Sequence, residues 1–189
     1  PQIELMSIFE LTSSLPLIKK INGYNNIITP KASLRFNPSD MKNYSNTEKN
    51  ITVDNIFSIN RLGLDDSFEE GKSLTVGIDY KKEKLDNINK YFELRIASVL
   101  RDETNNKIPN KSTLDQKNSN YFGKLTNSFN ENISLDYEFS INNNLDKVEY
   151  NSLGTTISKG SFITTFNYFE ENGAIGSSNI LENTTTFNF

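Results

Sequence analysis

Across residues 72–82, Leu74, Val76, Ile78 and Tyr80 alternate strictly with Ser73, Thr75, Gly77, Asp79 and Lys81. A β-strand sends successive side chains to opposite faces, so this stretch has one apolar and one polar face. A helix would scatter the same apolar residues around its circumference. The polar face carries charges and a glycine, which suit water better than a dry core. Two settings fit: a sheet with one wet face, or a barrel wall between lipid and a wet lumen. The stretch runs about 10 residues, the length a tilted strand needs to cross a bilayer.

The pattern recurs along the chain. Over 27–37, Ala32, Leu34 and Phe36 oppose Lys31, Ser33 and Arg35, with Pro30 near the start and Pro38 past the end, both tolerable positions. Over 91–101, Phe92, Leu94, Ile96 and Ser98 oppose Glu93, Arg95, Ala97 and Val99. Over 132–142, Ile133, Leu135, Tyr137, Phe139 and Ile141 oppose Ser134, Asp136, Glu138 and Ser140. Further strands are predicted at 3–11, 121–129, 147–158, 161–170 and 180–189. The strand at 147–158 slips phase between Tyr150 and Leu153, as a bulge would make it do.

Residues 12–26, with Pro16, Gly23 and the pair Asn25-Asn26, read as a connection. Long polar connections follow at 38–71, which contains an apolar island at 53–59, and at 102–118. Loops that long without secondary structure are uncommon unless they are functional. Tight turns are predicted at 85–89, 130–131, 143–146 and 159–160, and a glycine-containing loop at 171–179. The sum is about nine strands, no helix and no internal domain boundary across 1–189. Long connections after the second, fourth and eighth strands alternate with short ones after the third, fifth and seventh, the asymmetry of an outer-membrane barrel. The connections after the first strand and after the sixth break that rule.

Composition narrows the function. Hydrophobic residues make up 35% of the chain, too few for a large two-sided core but enough for strands greased on one face. There is no Cys, hence no disulfide framework, and no His, the commonest general base and transition-metal ligand. A net charge of −4 leaves no basic footprint for nucleic acid. No apolar run approaches the roughly 18 residues of a spanning helix. The chain opens at Pro1 and stops in what reads as mid-strand, so it is expected to be a fragment of a longer protein.

The strands could alternatively form a soluble β-sandwich. Against that stand strands of about 10 residues rather than the usual 5–6. Aromatics also gather near strand ends, at Tyr80, Tyr91, Phe92, Tyr121, Phe122, Phe129, Tyr168 and Phe169, where an interfacial girdle would put them. The acidic pairs Asp65-Asp66, Glu69-Glu70 and Glu170-Glu171 have no calcium-loop spacing and read as solvated carboxylates. Without a His, no Ser-His pair exists, and neither an enzyme, a metal nor a cofactor is expected.

Three stretches carry a resemblance to a known family. One is Ile28-Thr29-Pro30-Lys31-Ala32-Ser33-Leu34-Arg35-Phe36-Asn37-Pro38, entered through Thr-Pro and closed by Pro. The most specific runs from Asn55-Ile56-Phe57-Ser58-Ile59-Asn60-Arg61-Leu62-Gly63-Leu64-Asp65-Asp66 through Glu70-Gly71-Lys72-Ser73-Leu74-Thr75-Val76-Gly77. The third is Leu135-Asp136-Tyr137-Glu138-Phe139 with Val148-Glu149-Tyr150-Asn151. Together they resemble the C-terminal barrel domain of the LptD family of lipopolysaccharide-assembly proteins. At Asp66 the chain departs from the family, which usually has a basic residue there, and residues 1–26 fit more loosely.

The resemblance implies an all-β fold, an antiparallel up-and-down transmembrane β-barrel of which this chain supplies a partial arc. It implies the outer membrane of a Gram-negative cell, with lipopolysaccharide (LPS) arriving from a periplasmic bridge and leaving for the outer leaflet. The partners implied are LPS itself, an LptE-like plug lipoprotein, the bridge and outer-membrane lipids. The family-motif loop would be Phe57, Arg61, Gly63, Asp65 and Gly71, extracellular and folded toward the lumen. Ser73, Thr75, Asp79, Glu93, Arg95, Ser134, Asp136 and Glu138 would face that lumen, and Leu74, Val76, Ile78, Ile133, Leu135 and Phe139 the lipid. A general porin, or a soluble β-rich adhesin or binding module, is the alternative.

Overall fold

The structure, a computed structural model, describes residues 6–173 and 176–188. Among them the chain forms one antiparallel sheet of ten strands: β1 Phe9–Ser14, β2 Leu17–Ile21, β3 Tyr24–Asn37, β4 Gly71–Lys84, β5 Asn87–Arg101, β6 Tyr121–Asn130, β7 Ile133–Ile141, β8 Val148–Lys159, β9 Phe162–Glu171 and β10 Ser178–Phe187. The only helical piece among the described residues is a 3-10 turn at Asn110–Ser112. From β3 onward each strand pairs with the next, and the sheet stays open, an up-and-down arc.

The first two elements correct the predicted connection at 12–26. β1 pairs with the second half of β3 and β2 with its first half, in one continuous register. They are a single edge strand interrupted at Leu15-Pro16. Pro16 lacks a ladder donor but sits on an edge, where that is tolerated, and the Leu15 amide still donates to the Pro30 carbonyl at 3.1 Å. The chain reverses only at Asn22-Gly23, whose φ angles of 49° and 79° are those a type I′ hairpin turn requires. The strand predicted at 3–11 therefore begins at Phe9, with residues 3–5 outside the described set, and nine predicted strands become ten. The last strand, predicted at 180–189, starts at Ser178 and ends at Phe187; Phe189 lies outside the described residues.

With that correction the loop lengths alternate without exception. One end of the sheet has two-residue turns at 22–23, 85–86, 131–132 and 160–161. The other has every longer connection: 38–70, 102–120, 142–147 and 172–177.

Register places like with like. On one face Leu34, Leu74 and Leu100 form a row across β3–β5, followed by Pro30, Ile78 and Ile96. On the other, Arg35, Ser73 and Arg101 form a row, then Ser33, Thr75 and Val99, then Lys31, Gly77 and Ala97. The apolar face is bare: Leu34 is 56% exposed and Ile78 48%. The buried hydrophobic cluster lies on the polar side, beneath the two long connections. It joins Met41, Ile51, Val53, Ile56, Leu62 and Leu64 of the first, Ile108 and Leu114 of the second, and Ala97, Val99 and Phe122 of the sheet.

The bulge predicted between Tyr150 and Leu153 sits one step earlier, at Glu149, where the β7–β8 register shifts. Tyr150 then takes its place on the polar face and Leu153 on the apolar one. The apparent slip in phase was an aromatic on the polar side.

Candidate functional site

The site is the interface between the 38–70 connection and the polar face of the sheet. Pro38 stops β3, and Asn37 then organises the loop's return. Its side-chain oxygen accepts from the Ser39 amide at 2.9 Å, while its Nδ2 donates to the carbonyls of Phe68 at 3.3 Å and Glu69 at 3.2 Å. The apolar island 53–59 turns its Val53 and Ile56 into the cluster, which is why a polar-looking loop lies down rather than standing in solvent.

At the centre Glu69, 4% exposed, meets three arginines. Arg61 grips it in a fork, Nε to Oε2 at 2.7 Å and Nη2 to Oε1 at 2.5 Å. Arg101 donates to Oε1 from Nη1, and Arg35 Nη1 stands 3.5 Å from Oε2. Arg61 goes on to the sheet hydroxyls, Nη1 to Thr75 Oγ1 at 2.8 Å and Nη2 to Ser73 Oγ at 3.1 Å. Arg35 donates to the Ser58 carbonyl and Arg101 to that of Glu70. Glu10 on β1 lies 3.5 Å from Arg35, adding a second carboxylate. A bidentate guanidinium–carboxylate pair is directional and strong when desolvated. Burial alone would raise the Glu69 carboxyl, but Arg61, then Arg101 and Arg35, outweigh it and hold the group below the usual carboxylate range.

Two further ties reach toward the short-turn end. Asp54 on the loop pairs with Arg95 at 2.7 Å and Lys124 at 3.0 Å. Its partial burial works against ionisation, but the hydrogen bonds from Lys124 and Arg95 prevail and keep its carboxyl low. The Phe57 ring lies against Gly77; a Cβ there would come within 2.9 Å of Phe57 Cζ. The second connection is fastened in the same way. Lys107 pairs with Glu70 at 3.1 Å, and Asn120 Nδ2 donates to Glu149 Oε2 at 2.8 Å.

Of the predicted loop residues, Phe57 and Arg61 point at the sheet. Gly63 takes the left-handed conformation, φ 57°, in a turn closed by its amide on the Asn60 carbonyl. Gly71, φ 91°, opens β4 where the Arg101 guanidinium passes 3.1 Å from the position a Cβ would take. Asp65 is exposed and joins none of this. Ser73, Thr75, Asp79, Glu93, Arg95, Ser134, Asp136 and Glu138 share the polar face by register. Ser73 and Thr75 touch Arg61, Asp79 pairs with Lys31, and Asp136 accepts from Thr126 Oγ1 at 2.7 Å.

The expectation that Glu69-Glu70 is a solvated pair is overturned: Glu69 is the most enclosed carboxylate of the site. Sequence reading missed Glu69, Arg35, Arg101, Asp54 and Lys124 as partners. The available signal was two arginines on the polar phase at strand ends facing long loops. Among the described residues no group of three or more His, Cys, Asp and Glu is placed to hold a metal ion. The arrangement fastens a loop to the sheet.

No curated protein matches the chain. A family model described as LptD, LPS transport system D, matches residues 3–187, nearly its whole length and both long connections. A bare apolar face, a polar face under infolded loops and this match agree, and the chain belongs to the LptD family, outer-membrane-associated proteins of lipopolysaccharide transport and assembly rather than enzymes.

Proposed function

We propose that this chain is a wall segment of the barrel through which LPS is delivered to the outer leaflet. Its apolar face meets lipid and its polar face meets the lumen. The observation that carries the reading is the asymmetry of the sheet. Large side chains such as Leu34, Val76 and Ile78 are bare on one face, whereas the opposite face holds buried ion pairs under a fastened loop layer. A soluble sheet hides its apolar face; a barrel wall turns it to the bilayer.

In this reading the end bearing 38–70 and 102–120 is extracellular, and those connections narrow the outer half of the lumen. Ser73 and Thr75 hold the loop through Arg61. Asp79, Glu93, Arg95, Ser134, Asp136 and Glu138 line the passage or meet an LptE-like plug. Work is done by transport, LPS arriving through the periplasmic bridge and leaving into the outer leaflet.

The test is the full-length protein carrying Arg61→Ala, expressed as the only copy in its cell. LPS at the surface and exclusion of a large antibiotic are both measured. Loss of exclusion with correctly folded barrel is expected. Unchanged exclusion and unchanged surface LPS would overturn the luminal assignment.

A further inference from the structure

The polar face of β8 and β9 is built of small polar side chains, Ser152, Gly154 and Thr156 opposite Asn167 and Thr165. Three large side chains break that composition, Ile163 toward the two-residue turn and, at the other end, Tyr150 and Phe169. Tyr150 and Phe169 stand on the same face and meet ring edge to ring face, with centroids 5.4 Å apart and planes at 75°. Neither belongs to the buried hydrophobic cluster, and both stay part exposed. Aromatic rings kept on a wet face, outside the core, invite a ligand.

With Phe122 they line a partly enclosed cavity of about 130 Å³, bordered on the loop side by Asn50 and Thr52 and at its rim by Lys111. That volume far exceeds the about 10–15 Å³ a single water needs and falls short of the about 300–1,000 Å³ of a drug-sized site. It suits one small ring. A larger groove beside Phe9, Leu34 and Leu100 lies on the bare apolar face and is a lipid contact in the barrel reading.

The lining selects the ligand's chemistry. Aromatic faces carry negative charge density and attract the weakly positive C–H face of a saturated ring. Within the described residues the Asn50 carboxamide makes no hydrogen bond, so it is free to serve a hydroxyl. An alkyl chain could use the rings but would make nothing of that exposed amide. The Lys111 ammonium is 3.5 Å from both Glu48 and Glu171, so the rim is not a free cation waiting for a phosphate. A pyranose has both features the cavity asks for, an apolar C–H face and a hydroxyl edge.

We propose that this cavity is a saccharide subsite that takes one hexose-sized ring from the carbohydrate part of the transported glycolipid. The inference rests on the luminal reading above, in which that part travels along the polar face. It adds a place where the sugar pauses.

Saturation-transfer NMR on the purified full-length protein in detergent micelles tests it. The probe is acyl-free oligosaccharide prepared by deacylating LPS, with intact LPS and laurate as parallel ligands. The wild type is expected to give a saturable oligosaccharide signal, and Tyr150→Leu with Phe169→Leu to weaken it at least tenfold. Phe166→Leu, on the opposite face of β9, should leave it unchanged. If the double variant fails to fold, Asn50→Ala carries the test and should weaken binding at least threefold. Intact LPS binding without oligosaccharide binding overturns the subsite alone, as does equal binding by the variants or displacement of the sugar by laurate. Failure of both LPS and oligosaccharide to bind overturns the transport reading with it.

Discussion

The arcs β3–β6 and β8–β10 belong to one sheet with the same two-residue turns at one end, yet their polar faces are furnished differently. Under the loop layer stand Arg35, Arg101, Gly77, Ala97 and Val99: charges that need buried partners, and small or apolar side chains that allow close approach. Beyond it stand Ser152, Thr156, Thr165 and Asn167, hydroxyls and amides that satisfy one another across strands, as Thr156 and Thr165 do at 3.3 Å, or turn to water. Strand alternation sets which side is polar. What lies over that side decides which polar residues it can use, because an unpaired charge is tolerable only where water reaches it.

The sharpest way to break the contrast is to remove the anion that the covered arc depends on. Glu69→Ala leaves Arg35, Arg61 and Arg101 without the carboxylate they share, with Glu10 still beside Arg35. Breaking a buried pair by deleting one partner typically costs about 3–5 kcal/mol. Denaturant unfolding of the full-length barrel should show a loss of that order, and protease should reach 38–70 in the folded variant. The carboxyl also gives a pH signature. Its folded pKa is depressed, so its contribution is complete above the ordinary carboxylate value of about 4.3 and is lost only as pH falls through the lower folded value. Pepsin should therefore find the loop closed at pH 5 and open only under stronger acid. Opening between pH 5 and 7 would contradict a carboxylate held by three guanidiniums.

The apolar face should not distinguish the arcs at all. Ile78→Lys on β4 and Leu153→Lys on β8 both place a charge on the bare side, where the native residues are 48% and 40% exposed. Near a bilayer midplane each should cost about 2–4 kcal/mol. Thr156→Lys on the polar face of β8 should stay within about 0.5 kcal/mol. Unfolding from lipid vesicles measures all three, and equal tolerance on both faces would remove the bilayer from the account.

Two glycines give a finer comparison. A Cβ on Gly77 would meet Phe57 Cζ at 2.9 Å and, at 3.1 Å, both Ala97 Cβ and the Ile96 carbonyl, whereas the one tight contact of a Cβ on Gly154 is Asn167 Oδ1 at 3.1 Å, the end of a side chain that can turn away. Gly77→Ala should cost about 1–3 kcal/mol as overpacking, and Gly154→Ala much less. Adding Phe57→Leu should recover most of the Gly77→Ala loss. A double variant no better than the single one would show that the ring does not press on the strand.

Much of the sheet was legible because a period of two is a local signal, repeated in each strand. The Asn22-Gly23 hairpin was equally local and was obscured by Pro16, which suggested a loop where an edge strand merely skips a bond. Glu69 was not legible. Its partners Arg35 and Arg101 lie on strands far along the chain, and nothing near Glu69-Glu70 tells the carboxylate that folds inward from the one paired with Lys107 at 3.1 Å. Tyr150 misled for a related reason: its apolar character answers to the cavity beside the 50–52 segment, not to its own strand's phase. Long-range cover is where local reading stops.

The smallest expected effect separates motif from mechanism. Asp65 lies in the same stretch as Arg61 and looks as informative in sequence, yet it is exposed while Arg61 is 3% exposed. Asp65→Asn should shift unfolding by no more than about 0.5 kcal/mol, as for other surface sites without buried partners. It should leave antibiotic exclusion unchanged under conditions where Arg61→Ala abolishes it. If Asp65→Asn instead matched Arg61→Ala, the loop would owe its place to an outward contact as much as to the arginine fork. The contrast between a covered arc and an open one would then need a second partner above the loop.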